Sequence, residues 1–187
     1  MQIRIGRQEP ECRAGAGGLY SVSHPKEHPV TDFRCVPIDT AAANRFRATG
    51  RDDRGNAIRR TKAVAGQIYP CRHCLTLIAA GDDVLLASYD LPAPTGFYWT
   101  PSPVFLHAAD CPRYEAVNDI APIVRANALV SVRAYDADQL CLYDLGQVCA
   151  GADVDAPLQK ALNDARTAFV NIHTARPGCL LTHVARC

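Results

Sequence analysis

The sequence lacks the features that mark several large classes of protein. No apolar stretch approaches the length of a transmembrane span. The first residues, up to Cys12, carry charges where a secretory signal needs an apolar core, so we expect neither an export signal nor a membrane segment. The sequence also has no phosphate-binding loop, dinucleotide glycine fingerprint, nucleophile elbow or paired-histidine metalloprotease motif. These absences disfavour the commonest nucleotide-dependent and hydrolytic enzymes.

Net charge is almost absent as well. The chain has 20 basic and 19 acidic residues, and its formal charge of +1 gives no general attraction for nucleic acid or an anionic membrane. Neither is expected as a partner. Lysine is scarce, because 17 of the basic residues are arginines and only 3 are lysines. Coding bias in a GC-rich genome explains this composition, and an anion site built from guanidinium groups is the alternative.

The length and the apolar content predict one domain. A chain of 187 residues, of which 48% are hydrophobic, can bury a proper core. Residues 1–30 differ from the rest, because glycines and two His-Pro pairs interrupt any periodic pattern. A segment with so few large apolar side chains cannot offset its ordering entropy. Residues 1–30 are therefore predicted to form a flexible extension, and residues 31–187 the folded domain.

Hydrophobic periodicity predicts an α+β fold with a mainly antiparallel sheet and two or three short helices. Strands are predicted over residues 33–38, 83–89, 104–107, 128–134, 140–145, 169–174 and 179–185. Helices are predicted over residues 41–47, 112–117 and 157–167, and loops over residues 49–62 and 91–103. The turn sequence Arg176-Pro177-Gly178 joins the last two strands into a terminal hairpin.

Cysteine is abundant, with nine residues in the chain. Because no export signal is expected, the thiols should be mostly reduced and should serve in core packing, metal ligation or redox chemistry. A secreted domain stapled by disulfides is the alternative. We therefore expect a cytoplasmic protein.

The strongest motif is a set of four potential soft ligands in the middle of the chain. They are Cys71, Cys74, His107 and Cys111. Three thiolates with one imidazole form a recognised zinc ligand set, and the two-residue gap in the first pair lets one turn present both sulfurs to one ion. Two observations oppose this hypothesis: no glycine follows Cys74 to adopt the positive φ of a zinc knuckle, and His107 lies in a predicted strand. The reserve ligands are His73, His173 and Cys179.

Thiol chemistry is a second hypothesis, in which Cys71 or Cys111 makes the chain a cysteine-dependent enzyme acting on a small molecule. Arg72 would favour a thiolate in the neighbouring Cys-x-x-Cys pair. Arg113, and the start of the helix predicted over residues 112–117, would do the same for Cys111. A His–Cys pair could also arise in the terminal hairpin, depending on the strand register, from Asn171, His173, Cys179 and His183.

A third hypothesis concerns the aromatic segment Phe97–Trp99. Exposed aromatic side chains in this proline-rich segment would give a protein-interaction domain its binding surface, whereas buried ones would anchor the loop on the core. Three classes of function therefore stay open: a binding or structural module stabilised by zinc, a cysteine-dependent enzyme, and an interaction domain.

Four landmarks give the chain a family resemblance. They are Tyr69-Pro-Cys-Arg-His-Cys-Leu75, Gly81-Asp-Asp-Val-Leu-Leu-Ala-Ser-Tyr89, Ser102-Pro-Val-Phe-Leu-His107 and His173-Thr-Ala-Arg-Pro-Gly-Cys179. From about Thr31 onward, the chain resembles the bacterial "domain of unknown function" family 1203. The resemblance implies a small, soluble bacterial protein without a known activity. Because a serine often replaces Cys74 in that family, the resemblance lowers the weight of the metal site and favours Cys71-Arg72 and the corner at residues 176–179.

Overall fold

Two antiparallel β-sheets form the scaffold in a computed structural model, which describes residues 31–187. The extension predicted for residues 1–30 lies outside the described residues. The strands are β1 Phe33–Val36, β2 Arg59–Lys62, β3 Asp83–Asp90, β4 Pro101–His107, β5 Val130–Tyr135, β6 Gln147–Cys149, β7 Phe169–Thr174 and β8 Leu180–Arg186. The helices are α1 Thr40–Thr49, α2 Pro122–Arg125 and α3 Asp155–Asn163. The predicted class, α+β with mainly antiparallel sheet, is confirmed.

The larger sheet has the strand order β1-β8-β7-β5-β6. Side chains alternate along a strand, so Val130, Val132 and Ala134 of β5 point to one side, where all three are fully buried. The apolar stripe of α3, which includes Leu158 and Leu162, packs into the same core. β7 and β8 pair antiparallel, which confirms the terminal hairpin.

The smaller sheet has the order β2-β3-β4 and carries the candidate site at one end. A second core lies against it, in which Phe46 of α1 packs with Val84 of β3. Asp39 caps the start of α1 by accepting a hydrogen bond from a backbone N–H of the first turn. β4 begins at Pro101, inside the predicted loop, and the sheet tolerates its prolines because β4 is an edge strand.

β2 lies in a segment that was predicted to be a loop over residues 49–62. All four of its residues are exposed, so the apolar alternation that predicts a strand is missing. Arg60 and Lys62 form ion pairs with Asp83 of β3, at 2.7 and 2.9 Å. Charged side chains of this kind protect a sheet edge from pairing with another chain.

The helix predicted over residues 112–117 is wrong. The backbone there bonds to distant segments instead of to itself: the N–H of Tyr114 donates to the carbonyl of His73 at 3.1 Å, and Val117 forms a β-bridge with Arg34. Pro112 fits a first helical turn, but these tertiary bonds keep the segment extended. The short helix α2 begins later, at Pro122.

The strand predicted over residues 140–145 is also wrong. Gln139 adopts a φ of 64° and closes a turn by donating its N–H to the carbonyl of Asp136. The chain then forms a 3-10 turn over Tyr143–Leu145. The strand that pairs with β5 on the side away from β7 is β6. None of the helices in residues 31–187 has the length and apolar character needed to cross a bilayer.

Candidate metal centre

The first two candidate ligands lie in a tight turn that two backbone hydrogen bonds close. The N–H of Cys71 donates to the carbonyl of Thr76 at 2.9 Å, and the N–H of Ile78 donates to the carbonyl of Tyr69 at 2.9 Å. Between these bonds, Leu75 adopts a φ of 53°. The positive φ that a zinc knuckle needs after its second cysteine is therefore present without a glycine.

Leu75 can hold this conformation because its side chain is completely buried. A left-handed conformation costs an L-residue about 1–2 kcal/mol. Full burial of a leucine side chain contributes roughly 1.5–3 kcal/mol, which offsets that cost. The Leu75 side chain is 0% exposed and belongs to the core of the larger sheet, so the turn is pinned between the two sheets.

The other two candidate ligands come from the end of β4 and the segment after it. The N–H of Arg72 donates to the carbonyl of Phe105 at 2.9 Å, which ties the turn alongside β4. His107 is the last residue of β4, where it pairs with Val84. Cys111 follows four residues later in an extended segment. The end of a strand therefore supplies the imidazole, so the position of His107 in a strand does not oppose the zinc hypothesis.

These contacts bring all four predicted ligands together. The potential ligand atoms of Cys71, Cys74, His107 and Cys111, hereafter the Cys3His cluster, all lie within 4.8 Å of one another. The sulfurs of Cys71 and Cys111 are 3.9 Å apart, and the Cys74 sulfur lies 3.5 Å from Nδ1 of His107. Tetrahedral zinc with Zn–S bonds of about 2.3 Å would set these separations at about 3.8 and 3.6 Å.

Polar groups surround Cys111, and of these the sequence analysis named only His73, as a reserve ligand. Nδ1 of His73 lies 3.3 Å from the Cys111 sulfur, and Nε2 of His73 lies 3.0 Å from the hydroxyl of Thr40. Nη2 of Arg47 donates to the same sulfur at 3.3 Å, while its Nε donates to the carbonyl of His107 at 3.2 Å. Thr40 and Arg47 lie two turns apart in α1, so one helix face supports the cluster.

The electrostatics of the cluster favour a thiolate at Cys74. A hydrogen bond from Cys71 lowers the pKa of the Cys74 thiol well below its usual range, and the Thr76 hydroxyl, 3.2 Å from that sulfur, lowers it further. The same pairing with Cys74, together with burial, raises the pKa of Cys71. Burial raises the pKa of the Cys111 thiol. Burial, and then the positive charge of Arg47, lower the pKa of His73 and so favour its neutral form.

Of the reserve ligands, only His73 touches the cluster. His173 lies in β7, where its Nδ1 donates to the carbonyl of Gly178 at 2.9 Å. Cys179 precedes β8 and is not among the clustered donors. In the same hairpin, Asn171 and His183 form a direct cross-strand pair, with Oδ1 and Nδ1 2.9 Å apart.

Arg72 has a different role from the one the sequence indicated. Arg72 is 3% exposed, and its guanidinium donates to the backbone carbonyls of Pro70 and Leu180. The turn that holds Cys71 is thereby fastened to the start of β8, next to Cys179. The first landmark is thus bonded to the residue that directly follows the last landmark.

The aromatic segment divides into an anchor and an exposed tip. Nε1 of Trp99 donates to the carbonyl of Leu91 at 3.1 Å, and the guanidinium of Arg54 lies 5.0 Å from the centre of its indole ring. Phe97, in contrast, is 95% exposed. Trp99 therefore fastens the segment to the fold although it is 37% exposed, and Phe97 is the most exposed aromatic side chain of the segment.

Comparison with known proteins agrees with the resemblance read from the landmarks. The model of a family described as "Protein of unknown function (DUF1203)" matches residues 68–186, a range that includes the whole Cys3His cluster. No curated protein and no solved structure matches the chain. Because the matched range covers well over half of the chain, this protein belongs to the DUF1203 family.

Proposed function

We propose that this protein is a binding or structural module in which the Cys3His cluster holds one zinc ion. The observation that carries the proposal is the agreement of the S–S and S–N separations, 3.9 and 3.5 Å, with those of a tetrahedral site. Three thiolates with one imidazole favour zinc over the hard cations, which prefer oxygen ligands. The ion would draw the widest donor pair inward by no more than about 1 Å.

The ion would have a structural role, because protein atoms fill all four positions. A catalytic zinc site keeps one position for water or substrate, whereas structural sites are closed. Here the donors come from three separate segments: the turn at residues 71–74, the end of β4, and the segment at residue 111. Bonds to one ion would hold these segments together and would contribute directly to the free energy of folding.

The outer contacts agree with this role. Three thiolates and one divalent ion leave a net charge of −1, and the Arg47 guanidinium next to Cys111 offsets it. With Nδ1 protonated, the neutral His73 ring donates to the Cys111 sulfur and accepts from the Thr40 hydroxyl.

We place the protein in the bacterial cytoplasm, because a reducing compartment keeps such thiols available to a metal.

The enzyme hypothesis finds less support than the zinc hypothesis. Cys71 is 0% exposed and its pKa is raised, so it lacks both the access and the thiolate character of a nucleophile. Cys111 is half-buried, its pKa is raised, and no helix begins beside it. On the enzyme hypothesis, iodoacetamide would label one thiol of the folded protein far faster than the others near neutral pH.

Metal analysis of the full chain, purified under reducing conditions, tests the proposal. We expect about one zinc per chain, lost in Cys111→Ser and retained in Cys149→Ser. Cys149 is a matched control, because it is also half-buried but lies outside the cluster. The Co²⁺-substituted protein should show the thiolate-to-metal absorption of a tetrahedral site. A folded sample that contains no metal and takes up no added Zn²⁺ would refute the proposal, as would full zinc retention in Cys111→Ser.

A further inference from the structure

A cavity of about 410 Å³ lies on the side of β5 opposite the core, and none of its lining residues belongs to the Cys3His cluster. We call it the tyrosine pocket. Its lining includes Tyr98, Ser131, Arg133, Tyr135, Cys141 and Tyr143. Ser131, Arg133 and Tyr135 alternate with the core residues of β5 and so share one face of the strand. The volume falls in the range of small-molecule sites.

Three aromatic side chains shape the tyrosine pocket. The Tyr98 ring meets Tyr135 edge-on at 6.1 Å and Tyr143 edge-on at 6.3 Å. The Tyr98 and Tyr143 hydroxyls lie 2.9 Å apart, so the two rings hold each other in place. Tyr135 is backed by Phe169, whose ring stacks on it at 5.0 Å. The walls are therefore set before any ligand arrives, which lowers the entropic cost of binding.

Arg133 is the one formally charged side chain among the lining residues. No carboxylate lines the cavity, and within residues 31–187 Arg133 makes no ion pair. Its Nε donates to the hydroxyl of Ser131 at 3.3 Å, which orients the guanidinium and leaves its other N–H groups without a carboxylate. The tyrosines do not oppose an anion, because hydrogen bonding to Tyr143 raises the pKa of Tyr98 to about 12 and burial raises that of Tyr135.

We propose that the tyrosine pocket binds a small aromatic carboxylate, with its ring against the tyrosines and its carboxylate on Arg133. A guanidinium presents two parallel N–H groups that match the two oxygens of a carboxylate. Aromatic walls favour a planar ring, which they can contact edge-on or face-on. One cation next to neutral walls suits a single negative charge better than the double charge of a phosphate monoester.

Titration of the full chain with para-hydroxybenzoate, followed by calorimetry near pH 7, tests the proposal. Two further probes separate the contributions of charge and ring: para-hydroxybenzamide keeps the ring without the charge, and cyclohexanecarboxylate keeps the charge without the aromatic ring. We expect saturable binding of the benzoate. The amide should bind roughly tenfold or more weakly, because it loses the charge-assisted hydrogen bond. Cyclohexanecarboxylate should bind roughly two- to tenfold more weakly, because it loses the aromatic contacts.

Three variants connect the binding to the pocket. Arg133→Gln should weaken para-hydroxybenzoate by roughly tenfold or more, whereas Arg59→Gln, an exposed arginine of β2, should leave it unchanged. Tyr143→Leu should also weaken it, and this variant is expected to fold because Tyr143 is 75% exposed. The proposal is overturned if none of the probes binds, if the amide binds as well as the acid, or if neither pocket variant changes the affinity.

Discussion

Replacing Arg47 by glutamine tests how the surroundings of the Cys3His cluster would hold an ion. The Arg47 side chain is only 9% exposed, and it donates both to the Cys111 sulfur and to the His107 carbonyl. Its ion pair with Asp110, at 3.6 Å, contributes little, because the Asp110 side chain is 94% exposed. Arg47→Gln therefore removes the charge-assisted hydrogen bond to the Cys111 thiolate that would bind the ion, together with neutral-acceptor bonds to the His107 carbonyl and the Asn44 side chain.

The expected loss of zinc affinity follows from the separation of 3.3 Å between Nη2 of Arg47 and the Cys111 sulfur. Coulomb's law gives about 5 kcal/mol for unit charges at that distance and an effective dielectric constant of about 20. In the variant, water would replace much of this Coulomb interaction. The net loss of binding free energy should therefore be that of a hydrogen bond to a charged group, about 1.5–3 kcal/mol. This range corresponds to zinc affinity weakened roughly ten- to a hundredfold.

Competition with a chromogenic chelator measures the change in zinc affinity. Arg45→Gln is the matched control, because Arg45 lies in the same helix with its side chain 50% exposed, and Asp110→Asn tests the exposed ion pair. Both controls should bind zinc as the wild type does. The reasoning fails if folded Arg47→Gln keeps the wild-type affinity, or if Asp110→Asn changes the affinity by as much as Arg47→Gln does.

Two further predictions concern stability. Burial lowers the pKa of His173 from 6.5 to about 4. Between these pH values the unfolded chain binds a proton at His173 that the folded chain does not bind. The free energy of unfolding should therefore fall by up to about 3 kcal/mol as pH drops from 6.5 toward 4. Urea denaturation at both pH values should show a smaller fall for His173→Leu, and equal falls would contradict the assignment. Trp99→Ala should lower the free energy of unfolding by about 1–2 kcal/mol, through the lost hydrogen bond and cation–π contact, while Phe97→Ala stays within about 0.5 kcal/mol. Equal urea midpoints for the two variants would show that Trp99 is no anchor.

The four candidate ligands could be singled out from the sequence because their potential chemistry depends on residue type and short spacing. Cys71 and Cys74 are close in any turn that joins them, and His107 and Cys111 are separated by only three residues. That the two pairs meet depends on the backbone bond from Arg72 to Phe105, which no local pattern encodes. The objection raised by the missing glycine failed because burial of Leu75 compensates its left-handed conformation.

The wrong helix prediction and the wrong strand prediction share one cause. Residues 112–117 resemble a first helical turn and residues 140–145 resemble a strand, but in both segments backbone groups are taken up by other bonds. Tyr114 bonds to His73, and the Leu142 N–H donates to the carbonyl of Ala134 while a 3-10 turn follows. Local propensity is a weak preference that such contacts override.

The sequence by itself determined the antiparallel α+β class and the terminal hairpin, and it singled out the four candidate ligands, because each of these follows from side-chain periodicity or from the chemistry of neighbouring residues. Only the tertiary structure decided the surroundings of those ligands and the tyrosine pocket. Arg47 and Cys111 are 64 residues apart, and Tyr98 and Tyr143 are 45 apart. Such contacts form when whole elements pack, so no short window of sequence carries them.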